Sequence, residues 1–106
     1  MSSLSPACFA AVQGDAEGLI ELIAIGHDPE DSDAVGWQPA HWAAAAGSFE
    51  AVHALQLKGV RLDANTFSNA SPADVANEAG HTELAALIRY FVGRNAPSKR
   101  RAISPG

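Results

Sequence analysis

A period of 33 residues runs through the chain and constrains its fold more than any other feature. Five series of residues keep the same register: Pro6, Pro39 and Pro72; Ala10, Ala43 and Ala76; Gly14, Gly47 and Gly80; Glu17, Glu50 and Glu83; and Leu22, Leu55 and Ile88. One such series could arise by chance, but several in register indicate a structural unit that is copied three times. Three units are about the minimum that can bury a continuous core by stacking.

Each unit has the sequence pattern of two short helices joined by a turn. A serine or glutamine precedes each proline, and proline loses no hydrogen bond at the first position of a helix. The helix that follows is rich in small residues and ends near Gly14, Gly47 or Gly80, because glycine readily takes the left-handed conformation that ends a helix. Apolar residues then recur at helical spacing in "EGLIELIAIG", "EAVHALQLKG" and "ELAALIRYFVG", which predicts a second helix.

These motifs resemble those of the ankyrin repeat family. The resemblance lies in Gly36, "QPAHWAA" (38–44) and Gly47 of the middle unit, in "SPADVAN" (71–77) and "GHTEL" (80–84) of the third, and in "SPACFAA" (5–11) and "GHD" (26–28) of the first. Asn69 stands where the family has a glycine, as a residue that tolerates positive φ can. The resemblance covers about residues 4–93.

The resemblance implies an all-α fold, an ankyrin-repeat solenoid of helix-turn-helix units joined by hairpin-like fingers. We expect repeats at about 4–35, 36–68 and 69–93, followed by a basic tail at 94–106. In this family a histidine ties neighbouring repeats together by hydrogen bonds. Only His41 retains it, and Cys8 and Asp74 take its place in the other two units. The first and third repeats are therefore expected to be held less firmly than the second.

Charge divides the chain into an acidic body and a basic end. All 12 Asp and Glu residues lie in residues 1–93 with three of the seven Lys and Arg residues, whereas residues 94–106 hold the other four. An acidic body repels phosphate, so we predict no nucleic-acid binding through it. The end has two prolines and no apolar periodicity, and it is predicted to be disordered. Its "KRR" (99–101) leaves open a solubilising end or a weak nuclear-import or phosphorylation element.

The location of the protein is predicted from what the sequence lacks. No apolar run approaches the roughly 20 residues of a membrane span, so we expect no membrane association. The start of the chain lacks the basic and apolar stretches of a secretory signal. Cys8 is the only cysteine, so no disulfide can staple the fold. These features favour a reducing, cytoplasmic environment, with the nucleus as the alternative.

Residues capable of chemistry do not form a catalytic or metal-binding pattern. The four histidines belong to different parts of the repeats, and no two have the close spacing of a zinc site. The acidic stretch 27–33 lacks the glycine and the terminal glutamate of a calcium loop. The recurring glutamates have identical surroundings, whereas acid–base catalysis needs two different ones. We therefore predict no enzyme activity, no cofactor, no metal and no small-molecule substrate.

A surface for binding another protein is the remaining interpretation. In the ankyrin family, partner contacts usually come from a concave face made by the fingers and the first helix of each repeat. Carried over by position, the predicted partner-binding residues are Asp33, Val35, Trp37, Trp42, Ala45, Phe67, Ala70 and Glu78. Further positions of the same kind are Ala34, Ala46, Ser68 and Ala79.

The aromatic residues of this set are open to two interpretations. Trp37 and Phe67 are unexpected at solvated turns, and an apolar patch rimmed by acids fits a protein interface. Alternatively, Trp37 packs over the neighbouring finger. Phe9, Trp42 and Val75 also recur 33 residues apart, which favours a packed ridge of inner helices over a ligand-binding box.

The predicted function is protein–protein interaction without catalysis. We expect an adaptor or a small subunit that binds a protein partner through the concave face. The alternative is a regulatory inhibitor or an assembly chaperone of an enzyme, as ankyrin-repeat inhibitors of cyclin-dependent kinases and ankyrin-repeat proteasome assembly factors are.

Overall fold

The computed structural model describes residues 5–32 and 36–95 of the chain. Within these residues it contains helices and no strand, which confirms the all-α prediction. The helices are α1 Pro6–Val12, α2 Ala16–Ala24, α3 Pro39–Ala46, α4 Phe49–Leu57, α5 Pro72–Glu78 and α6 Thr82–Asn95. The first helices of the three pairs, α1, α3 and α5, pack side by side, and α2, α4 and α6 form a second layer against them.

Helix starts follow from the capping chemistry of the sequence. α1, α3 and α5 begin at their prolines. Ser5 Oγ accepts a hydrogen bond from the backbone N–H of Cys8, and the side chains of Asp15 and Ser48 cap α2 and α4 in the same way. Helices of seven to nine residues are marginal alone, so these caps work together with packing between the pairs.

The core runs without a break through all three helix pairs. Alanines dominate the first layer, because a methyl side chain lets neighbouring helices approach closely, and larger aliphatic residues fill the second layer. The buried members are Ala7, Ala10, Ala11, Ala40, Ala43, Ala44, Ala73 and Ala76 in the first layer and Leu19, Val52, Leu55, Leu84 and Ile88 in the second. This core positions the loops between the pairs, which we call the fingers. The first finger joins α2 to α3, and the second finger joins α4 to α5.

His41 ties the second repeat to the finger that leads into the third. Its Nε2 lies 3.0 Å from the carbonyl oxygen of Ala64 and 3.1 Å from that of Ala70, and the N–H of Gln38 donates to Nδ1 at 3.0 Å. Because both partners of Nε2 are acceptors, Nε2 carries the proton and Nδ1 accepts. A buried ring therefore satisfies two carbonyl groups of the finger.

Cys8 makes the corresponding contacts in the first repeat. Its Sγ lies 3.6 Å from the carbonyl oxygen of Asp31 and 3.9 Å from that of Trp37, which follow Cys8 by 23 and 29 residues, as Ala64 and Ala70 follow His41. A thiol is a weak donor, so these bonds are weaker than those of an imidazole. The contacts favour the expectation that the first repeat is held less firmly.

Asp74, at the same position of the third repeat, bonds within its own helix. The N–H of Ser71 donates to its carboxylate at 3.1 Å, and Ser71 Oγ accepts from the N–H of Asp74 at 3.2 Å. Hydrogen bonds from the Ser71 backbone, and then from its side chain, hold the pKa of Asp74 below its usual value. The third repeat thus uses this position to cap a helix and not to reach a further finger.

Gly47 and Asn69 are two of the turn residues that have a left-handed backbone. Gly47 ends α3 at φ 73°, as predicted, and a Cβ placed there would lie 2.6 Å from Cε1 of His81. Asn69 has φ 67° in the second finger, so it takes over the role of the family's glycine. Both residues fix where the chain reverses.

The last helix includes Gly93, the residue at which the third repeat was expected to end. α6 continues to Asn95. Residues 96–106, most of the predicted basic tail, lie outside the described residues. No helix within the described ranges is long and apolar enough to span a bilayer.

Replacing Gly47 by alanine should destabilise the fold more than the same change at Gly59. Both glycines have a left-handed φ, which costs an alanine about 1 kcal/mol. Nothing lies within 4 Å of a Cβ at Gly59, whereas at Gly47 the His81 ring must move, which adds about 1 kcal/mol. Urea unfolding measures both, and a His81→Ala background should make the two costs equal. Equal costs in the original background would contradict this packing.

His41→Ala should cost more stability than Cys8→Ala. The histidine change leaves two finger carbonyls without their donor and opens a cavity, for about 2–4 kcal/mol in the free energy of unfolding. The cysteine change removes only a weak donor and a smaller volume, for about 1 kcal/mol. Chemical denaturation of the two variants compares equivalent positions of neighbouring repeats. A cost for Cys8→Ala as large as that for His41→Ala would show that the thiol holds its finger equally well.

Candidate functional site

A cavity of about 390 Å³ opens on the side of the molecule formed by the fingers and the first helices. We call it the finger cavity. It is lined by Trp37, Ala45, Thr66, Ser68, Ala70, Val75, Glu78 and Ala79. These residues come from two successive fingers, from α3 and from α5, so the stacking of the second and third repeats creates the cavity.

Half of the predicted partner-binding residues meet in this cavity. Trp37, Ala45, Ala70 and Glu78 all line it, although they are spread over more than 40 residues of sequence. Ser68 and Ala79, which were carried over as further finger and inner-helix positions, line it as well. The family resemblance therefore named four residues that lie together in the fold, and their role in binding a partner stays a prediction.

Trp37 both packs locally and lines the cavity. Its ring centroid lies 4.6 Å from that of Trp42 and 5.8 Å from that of His41, with tilted planes. His41 is itself fixed by the finger carbonyls, so the indole of Trp37 rests on a rigid support. The two interpretations of Trp37 are thus compatible: one part of the side chain is packed, and another part faces the cavity.

Trp42 packs against Trp37, a lining residue of the cavity. It is half-buried against the core and does not line the cavity. Its Nε1 is buried and has no hydrogen-bond partner among the described residues. For Trp42, this position favours a packed ridge over a ligand-binding box, although Phe9 of the same series is 55% exposed.

Phe67 projects from the second finger and does not line the cavity. Its side chain is 79% exposed. The ring lies over Gly36, where a Cβ would come within 2.7 Å of Cδ1. Because Gly36 has φ 85° and no side chain, the first finger leaves room for this ring. Asp33 and Val35, the remaining predicted residues, lie outside the described residues.

Thr66 is a lining residue that the prediction missed. It is buried, and its Oγ1 accepts hydrogen bonds from the N–H groups of Ser68 and Ala70, both at 3.2 Å. These bonds shape the second finger and the wall of the cavity. Two signals could have found it: a threonine hydroxyl commonly stabilises such a turn, and Asp33, one period earlier, was in the predicted set. Val75, the other missed residue, was assigned to the ridge.

One carboxylate, that of Glu78, lies at the rim of the cavity. Glu78 is the last residue of α5, and it is exposed. Its carboxylate adds a negative charge to the helix end that already carries the negative pole of the peptide dipoles. No basic residue lies in the last turn of α5. The cavity is thus suited to an apolar group that ends in a positive charge.

The remaining candidate chemical groups have structural contacts. The rings of His53 and Phe91 stack with centroids 6.3 Å apart. Asp28 Oδ1 accepts from the N–H of Glu30, whose own carboxylate accepts from the N–H of Arg61 in the next finger. Across the described ranges, no three His, Cys, Asp or Glu residues form a group that could hold a metal ion.

A family model of ankyrin repeats matches residues 7–96 in three copies. The chain belongs to the ankyrin repeat family. Ankyrin repeats mediate protein–protein interactions, so the fold is that of a protein-binding module. The residues of the finger cavity lie on the fingers and first helices of the second and third ankyrin repeats.

Curated relatives of this ankyrin-repeat chain include kinase inhibitors and a channel. It is 34% identical over 83 residues to cyclin-dependent kinase 4 inhibitor B of Bos taurus, a match that covers 77% of this chain and 63% of the inhibitor. It is 30% identical over 93 residues to cyclin-dependent kinase inhibitor 2A of Homo sapiens, covering 87% and 60%. It is 31% identical over 83 residues to potassium channel AKT1 of Arabidopsis thaliana, covering 78% and 10%.

The chain thus spans less than two thirds of each of these relatives. Their names describe different activities, although the ankyrin repeats are shared. Fold similarity therefore identifies a protein-binding module, and the choice of partner depends on the surface residues of each chain.

Trp37→Ala should destabilise the ankyrin repeats, whereas Phe67→Ala should not. The tryptophan change removes a ring that packs on Trp42 and His41, for about 2 kcal/mol, while an exposed phenylalanine contributes within about 0.5 kcal/mol. Thermal melts should separate the variants, because 1 kcal/mol corresponds to about 4–8 °C in a domain of this size. Melting temperatures that fell equally would show that Phe67 also packs.

Proposed function

We propose that this chain is an adaptor or a small subunit of a complex, which binds a protein partner through the finger cavity without catalysing a reaction. The observation that carries the proposal is the cavity itself, because it gathers an aromatic face, small apolar side chains and a carboxylate between two repeats. Interface centres are typically apolar and aromatic with a polar rim, and the cavity has this composition.

The chemistry of the cavity supports a partner that inserts one long side chain. Trp37, Ala45 and Val75 offer apolar contact, and Glu78 offers a negative charge at the rim. Arginine and lysine combine an apolar stem with a positive end, and a cation near a tryptophan face gains further attraction. Protein interfaces often concentrate their binding energy on such an anchor.

Inhibition of a kinase is the second candidate, and the similarity to two cyclin-dependent kinase inhibitors favours it. An inhibitor also needs a protein-binding surface, so the finger cavity serves both candidates. They differ in the consequence of binding: an adaptor leaves its partner active, whereas an inhibitor does not. We place the protein in the cytoplasm, with the nucleus as the alternative.

Filling the cavity should abolish partner capture. Ala45→Arg places a long side chain where the partner would insert, whereas Ala86→Arg places the same side chain on the exposed surface of α6. Affinity purification followed by mass spectrometry should lose specific partners with the first variant and keep them with the second. Circular dichroism melts establish that both are folded. Identical partner lists for two folded variants would place the binding surface elsewhere.

The two candidates are separated by the activity of the captured partner. The purified chain is added to each captured enzyme and to cyclin-dependent kinase 4 with its cyclin. Unchanged activity in a stable complex supports the adaptor, whereas a loss of activity that Ala45→Arg prevents supports the inhibitor. If no complex forms with the kinase, the inhibitor candidate must rest on another enzyme.

A further inference from the structure

A second apolar groove lies at the N-terminal end of the stack, between α1 and α2. Its volume is about 630 Å³, and it shares no lining residue with the finger cavity. Phe9, Ala10, Leu22 and Ile25 supply apolar lining, and Asp15 and Glu21 supply charged lining. Phe9 is 55% exposed and Ile25 is 73% exposed, so large apolar side chains face solvent there.

The 33-residue register shows what this groove is. The positions equivalent to Leu22 are Leu55 and Ile88, and both are fully buried, whereas Leu22 is only partly buried. The positions equivalent to Pro6 are likewise buried in the second and third repeats. In those repeats the preceding helix pair covers this face, because α1 packs on α3 and α2 packs on α4. The part of the groove around Pro6 and Leu22 is therefore a face on which helix pairs stack in the other repeats.

The opposite end of the stack has a different chemistry. Asp74 and Asn77 of the third repeat are exposed, whereas Cys8 and Ala11, at the equivalent positions of the first repeat, are buried. The last repeat therefore presents a polar surface where earlier repeats present an apolar one. Of the two ends of the stack, the first repeat is therefore the one with an apolar outer face.

Charge indicates which kind of helix would bind. Residues 1–57 contain eight Asp and Glu residues and no lysine or arginine. A second copy placed face to face would bring the carboxylates of Asp15 and Glu21 together without a compensating cation. A second copy placed head to tail would offer the last repeat, where the single cation Arg89 is outnumbered by the exposed acids Asp74, Glu78 and Glu83. A helix with positive charges beside its apolar stripe has the complementary chemistry.

We propose that the groove between α1 and α2 binds an amphipathic helix of a partner protein, whose apolar stripe is flanked by lysine or arginine. The apolar stripe covers Phe9, Leu22 and Ile25, and at Leu22 it takes the place of the helix pair that covers the equivalent Leu55 and Ile88 inside the stack. The flanking cations lie near Asp15 and Glu21. This site is independent of the finger cavity, so it stands whether or not that cavity is the adaptor surface.

The test uses the full chain and two synthetic helices. The first is a peptide of about 18 residues, roughly five turns, with leucines at helical spacing on one face and lysines on the other. The second has glutamate in place of every lysine. Fluorescence anisotropy of dye-labelled peptide measures affinity, and amide chemical shifts of the labelled protein locate the site. We expect the lysine peptide to bind at least about tenfold more tightly and to shift residues 6–25.

Matched variants assign the binding to the groove. Phe9→Asp should lower the affinity for the lysine peptide by about tenfold or more, because it places a charge in the apolar contact. Phe49→Asp introduces the same charge at an exposed phenylalanine of α4 outside the groove, and it should leave the affinity within about twofold. Ile25→Asp gives a second groove variant at a more exposed position, in case Phe9→Asp fails to fold.

Four results would overturn the proposal. They are no binding of the lysine peptide, equal binding of the glutamate peptide, equal binding by the Phe9→Asp and Phe49→Asp variants, or chemical shifts confined to the finger cavity. Light scattering after gel filtration gives a fifth. A dimer of the chain that Phe9→Asp dissociates would assign the groove to a second copy and exclude the helix of another protein.

Discussion

The hydrogen bonds from His41 to two finger carbonyls are the interaction on which the described site depends. The ring is buried, so its bonds form in a surrounding of low dielectric, where an unmade bond is costly. They fix the backbone of the second finger at Ala64 and Ala70. The same ring also packs against the indole of Trp37. His41 therefore positions both the second finger and Trp37, which form two walls of the finger cavity.

The residues at the two positions equivalent to His41 make the two ends of the stack different. Cys8 reaches the corresponding carbonyls with a weaker donor, and Asp74 turns to its own helix start. The third repeat is thereby adapted to face water, because its outer positions are polar and its cap is satisfied locally. The first repeat keeps an apolar outer face in Phe9 and Ile25. The two ends of the molecule therefore differ in what they can bind.

The fold was predictable because its signals are local and repeated. A proline at the first helical position and a residue with left-handed φ after the helix fix the bounds of each unit, as Pro39 and Gly47 show. The last boundary lacks this signal, because α6 includes Gly93 and continues to Asn95.

The site was predictable only where it follows the register. Trp37, Ala45, Ala70 and Glu78 occupy repeated positions, so the family resemblance could place them on one side. The direction of the Phe67 side chain depends on the space above Gly36, a contact between residues 31 positions apart that no periodicity reveals. Thr66 was missed because its role lies in the turn hydrogen bonds of one finger.

The finger cavity and the N-terminal groove share no lining residue, but Cys8, which lines neither, lies close to residues of both. Cys8 lies beside Phe9 in α1, and its thiol reaches the carbonyl of Trp37, whose side chain lines the finger cavity. A ligand that orders α1 from the groove side also holds the thiol against this carbonyl, where the repeat has only a weak donor of its own. If both surfaces are occupied, thermodynamic linkage requires that each ligand change the affinity of the other by the same factor. A weakly tied first repeat is thus the element through which two partners of so small a protein would influence each other.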